Sequence, residues 1–211
     1  MTNNPHAVAS ATKAAAATPE RFLRLIEAEL LATEEIFHRS LATDVPFIRD
    51  AGEYIFQGGG KRVRPALLLL AAKLLGRDGE EETTYGAVVE LIHTATLIHD
   101  DIIDHSTLRR GQKTPNHLWG NSRTVLLGDW LYTTAMRLAL EHDNLAVIKT
   151  LVEATLRMTE GELLTLERLG RVDVTVDEYF QVIERKTAAL FGAACFLPSL
   201  IEAELLATEE I

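Results

Sequence analysis

The 211-residue chain has a single cysteine, few aromatic residues and no excess of positive charge, and each shortage excludes a class of protein. The lone Cys195 excludes an intramolecular disulfide framework and a zinc site of clustered cysteines. Because Cys195 lies in the apolar run FGAACFLPSL, we expect it to be a small buried core residue. A net charge of −10 argues against binding along a nucleic-acid backbone. The longest uncharged stretch, residues 187–201, is shorter than the about 20 residues of a membrane span.

The first 18 residues differ in composition from the rest of the chain. They are rich in alanine and threonine and lack the basic segment and apolar block of a secretory signal. We therefore predict that residues 1–18 are a disordered leader and that the protein is cytoplasmic.

From residue 19 onward the pattern predicts one helix after another. Alanine and leucine dominate, aromatic residues make up only 6%, and apolar residues recur at helical spacing. No segment alternates with a period of two, so no strands are expected. The prediction is an all-α domain over residues 19–199, with helices at 20–42, 44–57, 65–75, 83–105, 122–141, 144–169 and 175–197. Pro198 is expected to end the last of these.

Residues 25–36 and residues 200–211 both read LIEAELLATEEI. An identical stretch of this length is too long for chance and too perfect for an old duplication, and no repeat of that period lies between the copies. It indicates an artefact of sequence assembly or an engineered C-terminus. Residues 200–211 are therefore set apart from the domain.

The segment LIHTATLIHDDIIDHSTLRRG, residues 91–111, contains the strongest chemical pattern. On a helix, Asp100 and Asp104 share one face, and His93 lies on the same stripe two turns earlier. Paired carboxylates suit Mg²⁺, which takes a few carboxylates together with water and substrate phosphates. Arg109 and Arg110 come five residues after Asp104 and suit a diphosphate.

Two further basic points lie elsewhere in this acidic chain. The segment GGGKRVRP, residues 58–65, supplies Lys61, Arg62 and Arg64 beside three glycines, without the spacing of a Walker loop. Lys186-Thr187 is the second point. Each cluster alone is compatible with an ordinary surface feature. The helix before Asp100, however, is apolar on most sides and is expected to be buried, and buried carboxylates need partners or a metal.

A metal phosphohydrolase of the HD type is an alternative, based on the pair His99-Asp100. It would need further histidine ligands from His93, His105 or His117. It leaves the Arg109-Arg110 pair and the glycine-rich basic segment without a role.

Taken together and in order, GGGKRVRP, DDIID followed by RR, GNSRTVLLGDWLYTTA and ERKTAALF resemble the trans-polyprenyl diphosphate synthases, over residues 20–199. The long-chain, octaprenyl diphosphate synthase-like members are the most similar. The resemblance implies a helical bundle around a central cavity, of the isoprenoid synthase type. It also implies that isopentenyl diphosphate condenses with an allylic diphosphate, held through Mg²⁺, into a long-chain trans-polyprenyl diphosphate.

The resemblance also implies a role for individual residues. The magnesium ligands would be Asp100 and Asp104, with Asp101 in support. The contacts to isopentenyl diphosphate would be Lys61, Arg64, His93 and Arg110. Arg109 would contact the allylic diphosphate, and Lys186 and Thr187 would be the catalytic pair beside the leaving diphosphate and the developing cation.

Product length is expected to depend on Ala95 and Thr96, four or five residues before Asp100. On a helix they lie roughly 6–7.5 Å deeper than the aspartate. Their small side chains leave the cavity open, whereas an aromatic ring would block it. We expect a product longer than farnesyl.

The chain departs from the family pattern after Asp177, its last aspartate. The family's second aspartate-rich motif and later helices are missing, and the second LIEAELLATEEI stands in their place. We therefore expect little synthase activity from the chain alone and a homo-oligomer, most simply a dimer. The alternative function is a catalytically inactive fragment or partner subunit of such a synthase.

Overall fold

The computed structural model describes the backbone of residues 18–209 and the side chains of residues 18–201. Apart from Thr18, the predicted leader lies outside the described residues. The helices are α1 (Pro19–Arg24), α2 (Glu27–Ser40), α3 (Pro46–Gln57), α4 (Val63–Leu74), α5 (Glu80–Ile103), α6 (Pro115–Trp119), α7 (Asn121–Ala139), α8 (Leu145–Glu167), α9 (Val176–Ile183) and α10 (Ala189–Glu209). A 3₁₀ turn (Leu140–His142) follows α7, and a π-helical segment (Glu184–Ala188) joins α9 to α10. The prediction of an all-α fold is confirmed.

Helix α5 is the centre of the bundle. It packs against α7, α2 and α4, and most of its residues are buried on every side, as its apolar composition predicts. Helix α10 covers α4 and α8, and its stripe of Leu190, Leu197 and Ile201 completes the same core. The end of α5 that carries Asp100 therefore points out of a rigid, packed element.

The predicted helix over residues 20–42 is wrong at one point, because a turn at residues 25 and 26 interrupts it between α1 and α2. Ile26 leaves the helical region, with φ −127° and ψ 17°, and its side chain is fully buried. At this turn Ile26 packs into the core, while Leu25 beside it is 60% exposed.

Pro198 does not end the last helix, which is the second correction. Helix α10 continues through it to Glu209 without interruption. Leu197 before the proline and Ile201 after it are both buried, so packing on either side outweighs the missing backbone donor. The predicted boundary between residues 199 and 200 therefore lies inside one helix.

The expectation of no strands is also wrong, by one short hairpin. Strands β1 (Leu108–Arg109) and β2 (Gln112–Lys113) pair antiparallel around a turn at Arg110 and Gly111, both with positive φ. Two-residue strands are too short to produce an alternating pattern.

Cys195 is exposed, contrary to the expectation of a buried core residue. The buried residues of α10 recur along one stripe that includes Ala194 and Leu197, and Cys195 lies off that stripe. An apolar run on a helix covered along one stripe leaves its other positions exposed.

Within residues 18–209, none of the helices combines the length and apolarity that crossing a bilayer requires.

Candidate active site

A pocket of about 90 Å³ lies between the loop before α4, helix α5 and the β1–β2 hairpin. Its cationic groups come from the loop and the hairpin, and its floor comes from α5. We call it the arginine pocket; its walls include Arg62, Glu90, His93, Leu97, Arg109 and Arg110.

Arg62 is a fixed wall of the arginine pocket. Its backbone is left-handed (φ 49°), and its Nε and Nη1 donate to Glu34 Oε1 at 2.8 Å and to Glu90 Oε1 at 2.9 Å. Two carboxylates thus already balance its charge. A Cβ at Gly60 would lie 2.8 Å from Arg62 Nη1 and 3.3 Å from Arg110 Nη1, so this glycine leaves room for both guanidinium groups.

Hydrogen bonds to backbone carbonyls hold the β1–β2 hairpin at its turn and hold α6 directly after it. Arg110 donates from Nη1 to the Gly59 carbonyl across the pocket mouth. In α6, Asn116 Nδ2 donates to the carbonyls of Asp101 and Ser106, at 3.1 and 3.0 Å. Arg110 is therefore held by a backbone carbonyl of the loop, while Asn116 joins α6 to the end of α5 and to Ser106.

Asp101 is buried beneath the hairpin and is already occupied. Its Oδ1 accepts from Arg109 Nε at 2.9 Å and lies 2.8 Å from Arg109 Nη2. Asp101 therefore positions Arg109, and its Oδ1 already accepts from that guanidinium group.

A cavity of about 420 Å³ opens on the other side of α5, toward α8 and the π-helical segment. We call it the lysine pocket; its walls include Arg64, Thr96, Asp100, Glu162, Lys186 and Thr187. His93 and Leu97 line this pocket and the arginine pocket alike. The two pockets are thus neighbours, separated by one turn of α5.

Lys186 is the central cation of the lysine pocket. Its Nζ contacts Glu162 and lies 3.8 Å from Asp100 Oδ2. Burial alone would lower the pKa of Lys186, but the hydrogen bond with Glu162 and the charge of Asp100 outweigh it and raise this pKa. Lys186 is therefore charged.

Asp100 lacks sufficient positive charge around it. Burial raises its pKa to about 6; Lys186 opposes this, while the negative charges of Glu162 and Asp104 add to it. A cation bound beside Asp100 would stabilise its charged form and lower its pKa.

His93 is neutral at the junction of the two pockets. Burial, followed by the positive charges of Arg64, Arg110, Arg109 and Arg62, lowers its pKa to about 3. Burial also lowers the pKa of Arg64, whose Nε is buried without a hydrogen-bond partner and whose guanidinium lies 4.4 Å from the centre of the Phe191 ring. A ligand with anionic oxygens would satisfy that donor.

Among the described residues, no three His, Cys, Asp or Glu side chains form a complete metal site. The further histidine ligands that the HD-type alternative needs therefore do not join Asp100 in such a group among these residues. The pair Asp100 and Asp104 still suits a hard divalent cation that completes its shell with water and phosphate oxygens.

The structure brings most of the predicted residues together. His93, Arg109 and Arg110 line the arginine pocket, and Arg64, His93, Thr96, Asp100, Lys186 and Thr187 line the lysine pocket. Three residues lie elsewhere: Lys61 is exposed in the loop, Asp104 is exposed at the end of α5, and Ala95 is 2% exposed in the core. Sequence reasoning missed Glu162 and Asn116, which stand in segments without a distinctive spacing.

Comparison with known proteins gives consistent matches over this region. Residues 45–209 match the family described as polyprenyl synthetase. The octaprenyl diphosphate synthase of Escherichia coli (strain K12) is 40% identical over 175 residues, which are 83% of this chain and 54% of that protein. The all-trans-nonaprenyl-diphosphate synthase (geranyl-diphosphate specific) of Rhodobacter capsulatus is 36% identical over 167 residues, 79% of this chain and 51% of that protein.

Solved structures agree with the fold. The decaprenyl diphosphate synthase from Rhodobacter capsulatus superposes with a TM-score of 0.83 at 37% identity, covering 86% of this chain and 56% of that one. The polyprenyl synthase from Caulobacter crescentus CB15, complexed with calcium and isoprenyl diphosphate, gives 0.83 at 36% identity, covering 86% and 55%. The chain spans about half the length of the curated relatives it matches.

Proposed function

Because the chain belongs to the polyprenyl synthetase family, we propose that it is a chain-elongating prenyltransferase. In this reaction isopentenyl diphosphate condenses with an allylic diphosphate, and the product is a long-chain trans-polyprenyl diphosphate. The observation that carries the proposal is the pair of adjacent pockets. One has arginines on its wall, the other has carboxylates and a lysine, and they share His93 and Leu97.

The arginine pocket is suited to the diphosphate of isopentenyl diphosphate. Arg110 can exchange its hydrogen bond with the Gly59 carbonyl for phosphate oxygens, which Arg guanidinium groups bind in pairs. Arg109, on the same wall, is the contact we propose for the allylic diphosphate. His93 is neutral and half-buried beside them, so it can donate or accept one hydrogen bond without adding charge. Lys61, exposed in the loop before α4, and Arg64, facing the lysine pocket, are the other contacts we propose.

The lysine pocket is suited to the allylic diphosphate. Asp100 and Asp104 would hold Mg²⁺, which neutralises diphosphate oxygens and makes the group a better leaving group. Asp100 faces the lysine pocket, and because burial raises its pKa, a bound cation there would favour its charged form. Lys186 lies 3.8 Å from Asp100 and can turn from this carboxylate to a diphosphate oxygen.

The barrier in this reaction is charge separation. The allylic carbon–oxygen bond breaks, the double bond of isopentenyl diphosphate attacks the resulting cation, and a proton is then lost. Lys186 stabilises the departing diphosphate with a fixed positive charge, and Thr187 beside it faces the same cavity. Both residues sit on the π-helical segment and line the lysine pocket together with Asp100.

The growing hydrocarbon would extend past Thr96 in the lysine pocket. Thr96 is small, and its hydroxyl is turned back to donate to the His93 carbonyl at 2.8 Å, so the wall there is open. This supports a product longer than farnesyl. We also propose a cytoplasmic location, which cell fractionation tests, and a homodimer, which light scattering tests. The proposed domain covers residues 19–199, between a leader and the repeated tail, and limited proteolysis tests its bounds.

The proposed reaction is tested with radiolabelled isopentenyl diphosphate, Mg²⁺ and farnesyl diphosphate as the allylic substrate. The measurement is the label incorporated into longer prenyl products. The chain alone is expected to incorporate little, so the comparison is with its residual incorporation. Lys186→Met should remove this residual incorporation, while Lys73→Met, which changes a similarly exposed lysine on α4, should leave it unchanged. Loss of activity in both variants, or in neither, would contradict the assignment of Lys186.

The alternative is an inactive partner subunit that binds diphosphates, and the half-length match to the curated relatives favours keeping it. Titration calorimetry with both substrates separates the two functions. Binding without incorporation would support the subunit, and incorporation would exclude it.

A further inference from the structure

Gly161 on α8 touches the backbone of the π-helical segment that carries Lys186 and Thr187. A Cβ at position 161 would lie 2.4 Å from the Lys186 backbone nitrogen, 2.9 Å from its Cα and 2.9 Å from Arg185 Cβ. Real Cβ atoms essentially never approach other atoms this closely, and two of these neighbours are backbone atoms that cannot rotate away. Only glycine therefore permits this approach of α8 to the segment.

Ion pairs surround this contact without replacing it. Three of them join the segment to α8: Arg157–Glu184 at 2.6 Å, Glu160–Arg185 at 3.8 Å and Glu162–Lys186. The first two are largely exposed, and exposed ion pairs contribute little to stability. The third joins Glu162, the residue after the glycine, to Lys186. It can form only when the backbone already places Lys186 beside α8.

The contact lies at the π-helical turn of the site. Such turns are rare and are frequent at functional sites, where they displace one residue of a helix outward. Here the displaced backbone rests on Gly161, and the Lys186 side chain extends from that point to Glu162 and toward Asp100.

We propose that Gly161 is a positioning residue for Lys186. By letting the π-helical backbone rest on α8, it fixes the distance between the lysine and the carboxylates of Asp100 and Glu162. The consequence for diphosphate binding rests on the proposed function; the backbone placement does not.

Gly161→Ala tests the placement, with Gly192→Ala as its matched control. Gly192 is also helical, and a Cβ there has no neighbour within 4 Å. Hydrogen exchange followed by mass spectrometry should show the amides of residues 184–188 exchanging about tenfold faster in Gly161→Ala, equivalent to about 1.4 kcal/mol of local opening. Residues 127–135 of α7 should keep their rate, and Gly192→Ala should change neither segment. Unchanged exchange at 184–188 in a folded Gly161→Ala would overturn the proposal.

A double-mutant cycle tests whether Gly161 acts through Lys186. The probe is inorganic pyrophosphate with Mg²⁺, measured by titration calorimetry. Gly161→Ala and Lys186→Met should each weaken binding about tenfold, and the double variant should be no weaker than Lys186→Met alone. Additive losses would show that the glycine has only a general structural role. If Lys186→Met does not weaken binding while residues 184–188 still exchange faster in Gly161→Ala, the proposed role of Lys186 fails and the placement by Gly161 stands.

Arg157→Ala keeps the proposal falsifiable if Gly161→Ala does not fold. It removes the 2.6 Å pair with Glu184 and leaves the backbone contact intact. Exchange at 184–188 should then stay within about twofold of the parent, as for the loss of an exposed ion pair. An increase of about tenfold would show that side-chain ion pairs hold the segment and would overturn the proposal.

Discussion

Arg109 reaches the same carboxylate oxygen of Asp101 with both Nε and Nη2, at 2.9 and 2.8 Å. The Asp101 side chain is 2% exposed and that of Arg109 37%, so this pair joins the hairpin to the end of α5 at the edge of the interior. The three acids of the DDIID segment thus divide their roles. Asp101 holds the arginine in place, while Asp100 and Asp104 remain available to a ligand.

Asp101→Asn should lower the free energy of unfolding by about 1.5–3 kcal/mol, because it weakens a charge-assisted hydrogen bond at a buried position. Urea unfolding measures the change. Asp104→Asn is the control: the side chain is exposed, so the change should stay within about 0.5 kcal/mol. Equal losses in the two variants would contradict the division of roles.

Asp100 should make stability depend on pH in the unusual direction for an aspartate. Its pKa is raised to about 6 by burial, so the folded chain binds this proton more tightly than the unfolded chain. Its stabilising contribution is complete below the ordinary pKa of 3.8 and is lost as the pH rises through about 6.

Asp100→Asn should therefore be more stable than the parent at neutral pH, by about 1–3 kcal/mol, and this advantage should vanish near pH 4 and below. Urea unfolding over a pH series measures it. A difference between variant and parent that is the same at every pH would contradict the raised pKa.

His93 should act in the opposite direction. Because its pKa is lowered to about 3 from 6.5, its contribution is present above the ordinary value and is lost as the pH falls toward 3. His93→Gln should remove this dependence, so that the parent loses about 2 kcal/mol more than the variant between neutral and acid pH. His117→Gln, at an exposed histidine, is the control and should lose as much stability on acidification as the parent. If His93→Gln also loses as much stability as the parent, the prediction is wrong.

Thr96→Phe and Ala95→Phe should have different effects, although the two residues are neighbours. Thr96 lines the lysine pocket, so a ring there should weaken binding of geranylgeranyl diphosphate more than of dimethylallyl diphosphate. Ala95 is buried in the core, and a ring there should instead lower the stability by about 1–3 kcal/mol. Calorimetric titration of both ligands, beside thermal unfolding, distinguishes them. Equal weakening of both ligands by Thr96→Phe would remove Thr96 as a length determinant.

Gly128 on α7 leaves room for the His99 ring, which lines the lysine pocket beside Asp100. A Cβ at position 128 would lie 2.3 Å from His99 Nε2, whereas the ring now lies 3.1 Å from the Val125 carbonyl oxygen. Gly128→Ala should lower the stability by about 1–3 kcal/mol, and adding His99→Ala should restore part of it. Thermal unfolding is the measurement, and a failure of His99→Ala to restore stability would exclude the clash as the cause.

Much of the site could be predicted because its residues share one helix. The spacing of His93, Thr96 and Asp100 on α5 fixes their common face, and the apolar composition of α5 fixes its burial. Glu162 and Asn116 could not be predicted in the same way. They reach the site only because α8 packs beside the π-helical segment and because α6 folds back under α5, and neither packing has a local signal in the sequence.

The repeated twelve residues show the same limit from another side. In the first copy the chain breaks at Leu25 and Ile26, whereas in the second copy the corresponding Leu200 and Ile201 lie within the uninterrupted α10. Identical letters therefore give different backbones, because helix propensity is weak beside the packing that each copy meets. A method that considers only these twelve residues could not distinguish the two copies.

The π-helical segment also acts as a phase shift in the helical count. Each residue of an α-helix advances the chain by about 100° around its axis, so one residue more or fewer in a turn rotates everything beyond it by that angle. The exposed face of α9, with Tyr179 and Phe180, and the buried stripe of α10 are set in separate registers on either side of the segment. A single-residue deletion between Glu184 and Ala188 would thus turn α9 by about a quarter of a revolution relative to α10.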